Sequence, residues 1–265
     1  MALARQPAAA PETYRLPWRC GDILLNVFGA VPVRNDRPLI VYFHGGVFNC
    51  GAPEDAEPLA KALSDTAVVV CVAYPLAPGC RFPDTVEIAF EALKWAAAHA
   101  KDFGADRARI FVAGDQAGGN LAAATALVAR DRRALAHDLP PLAGQVLLTP
   151  LLDPVQASKS MQTVADAPCR KGWAAYLPCL SDALHPYAAP VHSRRLGSLP
   201  PALILTAERD PLRDEAETYA AKLIGAGVQV RVHRVANAAG DLVNPAHPEF
   251  ATVVAAVGRF VSDAN

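Results

Sequence analysis

The stretch from residue 110 to 120 contains the residues whose types and spacing have the clearest chemical meaning. An apolar run leads into Gly114, and a small-residue segment follows Gly118, which predicts a buried strand turning sharply into a helix. In the G-x-S-x-G form of this corner, the central serine attacks a carbonyl carbon. Gln116 stands at that position here. Because a primary amide is neither nucleophilic nor ionisable near neutral pH, Gln116 cannot form an acyl-enzyme.

A second stretch, His44-Gly45-Gly46, follows the continuous apolar run at 39–43. Such a run is typical of a strand covered on both faces, and the glycines after it would expose backbone N–H groups. These donors could bind a ligand oxygen. The glycines could instead serve only a tight turn from strand to loop.

Composition limits the classes of partner. The chain has 265 residues, 52% hydrophobic and 19% charged, with a formal net charge of -1. This balance argues against nucleic acid and against an anionic membrane surface, and favours a small or apolar partner. Six cysteines without a C-x-x-C pair predict no metal site, and nothing indicates a cofactor. Residues 1–11 lack the apolar run of a signal peptide or membrane span, so we expect a cytoplasmic protein.

Alternating strand and helix patterns must position these residues. Strands are predicted at 22–29 (an edge strand), 39–43, 67–73, 109–113, 145–148, 202–206 and 228–235. Helices are predicted at 53–63, 84–98, 117–130, 212–224 and 248–261. This order predicts an α/β fold with a mostly parallel central sheet and helices on both faces. We expect one domain over 1–265, with a small cap formed by an insertion at about 153–199.

Four segments together resemble the α/β-hydrolases of the hormone-sensitive-lipase-like branch, which contains bacterial esterases and lipases and plant carboxylesterase-like proteins. The segments are His44-Gly-Gly-Val-Phe48, Tyr74-Pro-Leu-Ala-Pro78, the corner at 114–120 and the run at 200–215. Their order and spacing match that branch over nearly the whole chain. The resemblance implies the α/β-hydrolase fold with a small helical cap.

The resemblance also assigns the oxyanion donors. By position, the backbone N–H groups of Gly45, Gly46 and Ala117 would bind the oxyanion. The third glycine of the family's loop is Val47 here. A β-branched residue resists positive φ, so we expect this loop to differ in shape from the three-glycine form.

Of the other two members of the family's triad, the acid is present in this sequence and the histidine is replaced. Asp210 stands at the position of the acid, although Asp followed by Pro211 is also typical of a helix N-cap. The histidine position falls on Ala239 or Gly240, depending on a one-residue choice of alignment. Nucleophile and base are therefore both substituted. His233, His247 and Cys50 are the remaining candidates, and each is more typical of an ordinary surface or core residue.

Three functions fit these substitutions. The leading hypothesis is a degenerate esterase or lipase that keeps the pocket as a small-molecule-binding or regulatory site, as the resemblance to the gibberellin receptors of this branch implies. Its ligand would be small and apolar or ester-like, held near Gly45, Gly46, Gln116 and Ala117. The second is a non-hydrolytic enzyme of lyase, dehydratase or cyclase type. The third is an ester hydrolase in which Gln116 holds a water and Asp210 or Asp241 is the base. A homo-oligomer is compatible with all three.

Overall fold

A single eight-stranded sheet forms the centre of the computed structural model, which describes residues 10–19, 21–135, 138–164 and 168–263. The strands are β1 (Glu12–Leu16), β2 (Ile23–Phe28), β3 (Arg37–Phe43), β4 (Val68–Ala73), β5 (Ala105–Asp115), β6 (Gly144–Leu148), β7 (Ala202–Ala207) and β8 (Val230–Val235). Their order in the sheet is β1-β2-β4-β3-β5-β6-β7-β8. The pairs from β4 to β8 are parallel, and β2 runs antiparallel to both of its neighbours. The predicted mostly parallel α/β sheet is confirmed.

Helices cover both faces of this sheet. They are α1 (Pro53–Leu63), α2 (Asp84–His99), α3 (Gln116–Asp131), α4 (Lys159–Gln162), α5 (Pro168–Tyr176), α6 (Arg213–Gly225) and α7 (Phe250–Asp263). Buried residues of α1 and α7 share one core cluster, whereas those of α2, α3 and α6 share the other. Among the described residues, no helix is both long and apolar enough to cross a membrane.

The strand predicted at 22–29 is present as β2, but its predicted place at the edge of the sheet is wrong. The edge is β1, which pairs antiparallel with β2 over residues 12–16 and 23–27. The sequence of β1 is mostly exposed, so it carries little of the alternating apolar signal that marks a strand. Backbone pairing with β2, a long-range contact, is what makes it a strand.

Close packing fixes the corner between β5 and α3. Twelve residues of α3 are buried, from Ala117 to Val128, because the helix lies against the sheet beneath other elements. A Cβ added at Gly118 would overlap the carbonyl oxygen of Phe43 at the end of β3. Glycine therefore lets the start of α3 approach the neighbouring strand.

Two buried polar side chains hold the predicted cap segment, 153–199, to this framework. Glu215 on α6 accepts hydrogen bonds from the backbone N–H of Leu152 (2.5 Å) and of Asp153 (3.3 Å) at its start. Burial raises the pKa of Glu215 to about 8. Asn120 on α3 donates through Nδ2 to the carbonyls of Leu151 (2.9 Å) and Ala188 (3.0 Å). The start and the later part of the segment are thus tied to helices of the core.

We expect Gly118→Ala to lower the free energy of unfolding by about 1–3 kcal/mol, because the added methyl group has no space beside Phe43. Helix propensity alone would make the alanine variant more stable, so a decrease in the free energy of unfolding would have to come from the packing against Phe43. The matched control is Gly258→Ala in α7, where an added Cβ meets no heavy atom within 4 Å. This control should raise stability by up to about 1 kcal/mol. Urea unfolding followed by circular dichroism measures both, and a Gly118→Ala variant as stable as the parent would refute the packing argument.

Candidate functional site

The corner at Gln116 has a strained backbone. Gln116 is the first residue of α3 and has φ 47°, a left-handed conformation that non-glycine residues seldom adopt. Its carbonyl accepts a hydrogen bond from the N–H of Leu151 at 2.9 Å. Gly114 and Gly118 contact each other across the turn, where an added Cβ on Gly114 would overlap the Gly118 backbone. The strand, the sharp turn and the helix start predicted around Gln116 are therefore all present.

The Gln116 side chain points back at the glycine loop. Its Oε1 accepts a hydrogen bond from the backbone N–H of Gly46 at 2.9 Å. The N–H of Ala117 donates to the Gly46 carbonyl oxygen at 3.1 Å. Two of the three expected oxyanion donors thus have acceptors within the protein. A ligand oxygen can reach the Gly46 N–H only if the amide of Gln116 moves away.

The glycine loop, residues 44–51, has Val47 directly after its two adjacent glycines, Gly45 and Gly46. Gly46 has φ 110°, and an added Cβ there would overlap the carbonyl of Cys50. Val47 is not among the described residues with positive φ, whereas Phe48, the next residue, has φ 71°. Val47 thus avoids positive φ, as expected of a β-branched residue, and the strained non-glycine φ in this loop is that of Phe48. Burial of the Phe48 ring, which is 1% exposed, offsets this strain.

Aromatic packing fills the side of the loop that faces the cap segment. The Phe48 ring stacks on Tyr176 with 4.0 Å between centroids and lies 4.7 Å from Trp173. Both partners belong to α5, whose Gly172 lies directly against the carbonyl of Val47. The apolar groups beside the loop are therefore already buried against one another.

A cleft of about 600 Å³ opens beside Gln116, between the glycine loop, the start of α1 and residues 241–245. Its wall is acidic: the charged residues that line it are Glu54, Asp55, Asp115 and Asp241. The two residues of α1, Glu54 and Asp55, are not among the site residues predicted from the sequence. Their acidic positions in the first turn of a helix that follows the glycine loop were the available signal.

Asp115, immediately before Gln116, has a buried carboxyl group. It is 6% exposed, and burial raises its pKa to about 7. The hydroxyl of Tyr42 donates to its Oδ1 at 2.8 Å and opposes this rise. Asp115 therefore changes protonation near neutral pH, within reach of a ligand in the cleft.

Asp210 and Gly240 lie next to each other. Asp210 follows β7 and is buried, with Oδ1 accepting from the N–H of Leu212 at 2.7 Å, and burial raises its pKa to about 6. α6 begins at Arg213 with Leu212 as its N-cap, so Asp210 precedes the helix and is not its N-cap. A Cβ added at Gly240 would lie 2.7 Å from Asp210 Oδ2, while Ala239 is exposed. Of the two alignments, the one with Gly240 directs a side chain toward Asp210.

The alternative candidates divide between the cleft and the surface. Cys50 is exposed and lines the cleft, and so does Asp241, which accepts from Asn244 Nδ2 at 2.9 Å. His233 is exposed on β8, and His247 Nδ1 accepts from the N–H of Glu249 at 3.1 Å. Neither histidine lines the cleft. Within the described ranges, no group of three His, Cys, Asp or Glu side chains could hold a metal ion.

Comparison with known proteins agrees with this architecture. The sequence profile of a family described as having the alpha/beta hydrolase fold matches residues 40–241. The chain is 37% identical over 251 residues to a carboxylesterase of Mycobacterium tuberculosis, covering 90% of this chain and 75% of that protein. It is 30% identical over 247 residues to a gibberellin receptor of Arabidopsis thaliana, covering 85% and 69%.

A solved structure gives the same result. The crystal structure of a thermostable carboxylesterase cloned from a metagenomic library has a TM-score of 0.87 at 33% identity, covering 99% of this chain and 92% of that one. The fold, the motif order and these relatives agree. The chain belongs to the α/β-hydrolase-fold family, in its esterase and lipase branch.

Proposed function

We propose that this protein is a catalytically degenerate esterase homologue that binds a small ester-like or apolar molecule at Gln116 without acyl transfer. The hydrogen bond from the Gly46 N–H to Gln116 Oε1 carries the proposal. One side chain both replaces the nucleophile and occupies a donor that an oxyanion would need. The named carboxylesterase relatives favour hydrolysis, and the proposal departs from them at positions 116 and 240 for chemical reasons.

Those reasons are quantitative. Removing the nucleophile or the base of a triad leaves only about 10³–10⁴-fold catalysis over water, which comes from the oxyanion hole and from binding. A single oxyanion donor contributes about 3–4 kcal/mol to the transition state. With the Gly46 N–H engaged by Gln116, part of this residual activity also disappears. The remaining rate is too small for an esterase.

A binding role has support within the branch. The similar Arabidopsis protein is a gibberellin receptor by name, so a relative of this chain has a ligand-binding role. The Gln116 amide suits such a role because it offers both a donor and an acceptor. A ligand carbonyl could take the Gly46 N–H while the displaced amide donates to another ligand oxygen.

Asp115 favours a second candidate, in which the cleft catalyses a reaction that needs no covalent intermediate. A carboxyl group with a pKa of about 7 is well matched to proton transfer at neutral pH. Asp115 lines the cleft beside Gln116, where it could take a proton from a bound water or from a substrate carbon. The products would be those of hydrolysis in the first case and of elimination in the second. Asp115→Asn would abolish either activity.

Parent protein and Gln116→Ala should hydrolyse short p-nitrophenyl esters at the same rate, indistinguishable from buffer, because neither side chain can be acylated. Release of p-nitrophenol measures the rate, and intact-mass analysis after treatment with a fluorophosphonate detects any reactive serine. Titration calorimetry should still detect binding of the uncleaved ester to the parent. Turnover by the parent that Gln116→Ala abolishes would overturn the catalytic part of the proposal. A lack of ester binding at millimolar concentration would overturn the binding part.

Gln116→Ser combined with Gly240→His should restore esterase activity. Serine removes the amide from the Gly46 N–H. A Cβ at 240 lies 2.7 Å from Asp210 Oδ2, so the Asp210 carboxyl group must shift to accept a hydrogen bond from the new imidazole. We expect the double variant to exceed either single variant by about 100-fold or more, because a general base contributes about 10²–10⁴ and triad members act as a unit.

The matched control for this rescue is Gln116→Ser with Ala239→His, which places the same imidazole one residue away. It should remain inactive, since Ala239 is exposed, whereas a Cβ at position 240 lies beside Asp210. Circular dichroism verifies that each variant is folded. A folded Gln116→Ser, Gly240→His variant that stays silent, or equal activity in the control, would contradict the assignment of Gly240.

A further inference from the structure

A second cavity, of about 750 Å³, lies at the far end of α3 from Gln116. It is formed by the last turns of α3, residues 184–195 and α6, and we call it the basic cavity. Arg130, in its wall, is fourteen residues after Gln116 on the same helix, which corresponds to about 21 Å. This volume falls in the range of small-molecule sites, about 300–1,000 Å³.

The wall of the basic cavity is strongly positive. It contains the permanent cations Arg130, Arg194, Arg195 and Lys222 against one carboxylate, Asp131. Four positive charges and one negative charge give a net +3, in a chain whose formal net charge is -1. Asp131 is already paired with Arg130 at 2.8 Å, and its other carboxylate oxygen accepts a hydrogen bond from the hydroxyl of Tyr187 at 2.8 Å. The concentrated charge therefore favours an anion.

Part of this charge is fixed and part is free. The Arg130 guanidinium donates to the carbonyls of Arg195 (2.6 Å) and Gly197 (3.2 Å), which holds the wall in place. Lys222 Nζ donates to the Val191 carbonyl at 2.6 Å and keeps two further hydrogens. The side chains of Arg194 and Arg195 have no hydrogen-bond or ion-pair partner in the described part of the chain, and both residues are exposed.

The rest of the wall is partly polar, with His185, His192 and Ser193, and partly apolar. Leu127, Leu184, Pro186 and Tyr187 line it, and Leu184 is 65% exposed although it is a large apolar residue. An inorganic anion would leave this surface, and most of the volume, without contacts. A ligand with an apolar or aromatic body would cover it.

We propose that the basic cavity binds a small organic phosphate. The phosphate group would accept hydrogen bonds from Arg194, Arg195 and Lys222, because the forked guanidinium donors match phosphate oxygens and a dianion suits a net charge of +3. The organic body would pack against Tyr187 and Leu184. This site is separate from the cleft at Gln116 and does not depend on the function proposed for that cleft.

Titration calorimetry of the full chain with phenyl phosphate at low ionic strength tests the proposal. The parent should bind saturably with one site, and Arg194→Ser with Arg195→Ser should weaken binding about tenfold or more, since two charged hydrogen-bond donors are removed. The control, Arg231→Ser with Arg259→Ser, removes the same charge from exposed positions on β8 and α7. It should change the affinity less than about twofold.

Inorganic phosphate and benzoate test separately whether the organic body and the double negative charge of the ligand contribute to binding. Phenyl phosphate should bind more tightly than inorganic phosphate, because only the former has a ring to place against Tyr187 and Leu184. It should also bind more tightly than benzoate, which carries a single charge. No saturable binding, or an equal loss in both double variants, would overturn the site. Equal affinity for inorganic phosphate and phenyl phosphate would overturn the organic part of the ligand.

Discussion

The chemistry of the site depends on one contact, the hydrogen bond between the Gly46 N–H and the side-chain oxygen of Gln116. Together with the bond from the Ala117 N–H to the Gly46 carbonyl, it closes the glycine loop onto the start of α3. The net contribution of such a hydrogen bond is only about 0.5–1.5 kcal/mol, so a ligand oxygen with good contacts elsewhere could displace the amide. In contrast, Gln116 cannot be acylated however the ligand binds. Displacing one hydrogen bond costs little, whereas losing the nucleophile removes the reaction itself. We therefore propose that the site binds a ligand but does not catalyse acyl transfer.

The surrounding structure holds the glycine loop and the start of α3 at a fixed separation. Gly118 permits the close approach of α3 to β3, and Asn120 ties the same helix to Leu151 and Ala188 on the cap side. On the other side of the loop, Phe48 packs against two aromatic rings of α5. α3 also connects the site to the basic cavity at its far end. An esterase fold can thus keep its architecture after its central residues change, because packing and not the reacting groups maintains it.

The sequence predicted the sheet and the corner at Gln116 well, because both follow from local patterns. Continuous apolar runs mark strands buried on two faces, and paired glycines mark a turn that needs close approach. It did not predict β1, whose exposed residues form a strand only through pairing with β2. Nor does it show that position 240 lies beside Asp210, since that proximity depends on how the chain folds in space. The hydrogen bond between Gly46 and Gln116 joins residues 70 apart and needs a side-chain direction that no pattern encodes.

The most direct test of this account is the hydrogen exchange rate of the Gly46 amide, measured by ¹⁵N nuclear magnetic resonance in the parent and in Gln116→Ala. Gly46 is half-buried, so the Gln116 side chain is the group that protects its N–H from water. We predict that the amide exchanges slowly in the parent and faster in Gln116→Ala, while neighbouring amides of β3 keep the same rate. Equal exchange in the two proteins would mean that Gln116 does not occupy the donor, and the central claim would be wrong.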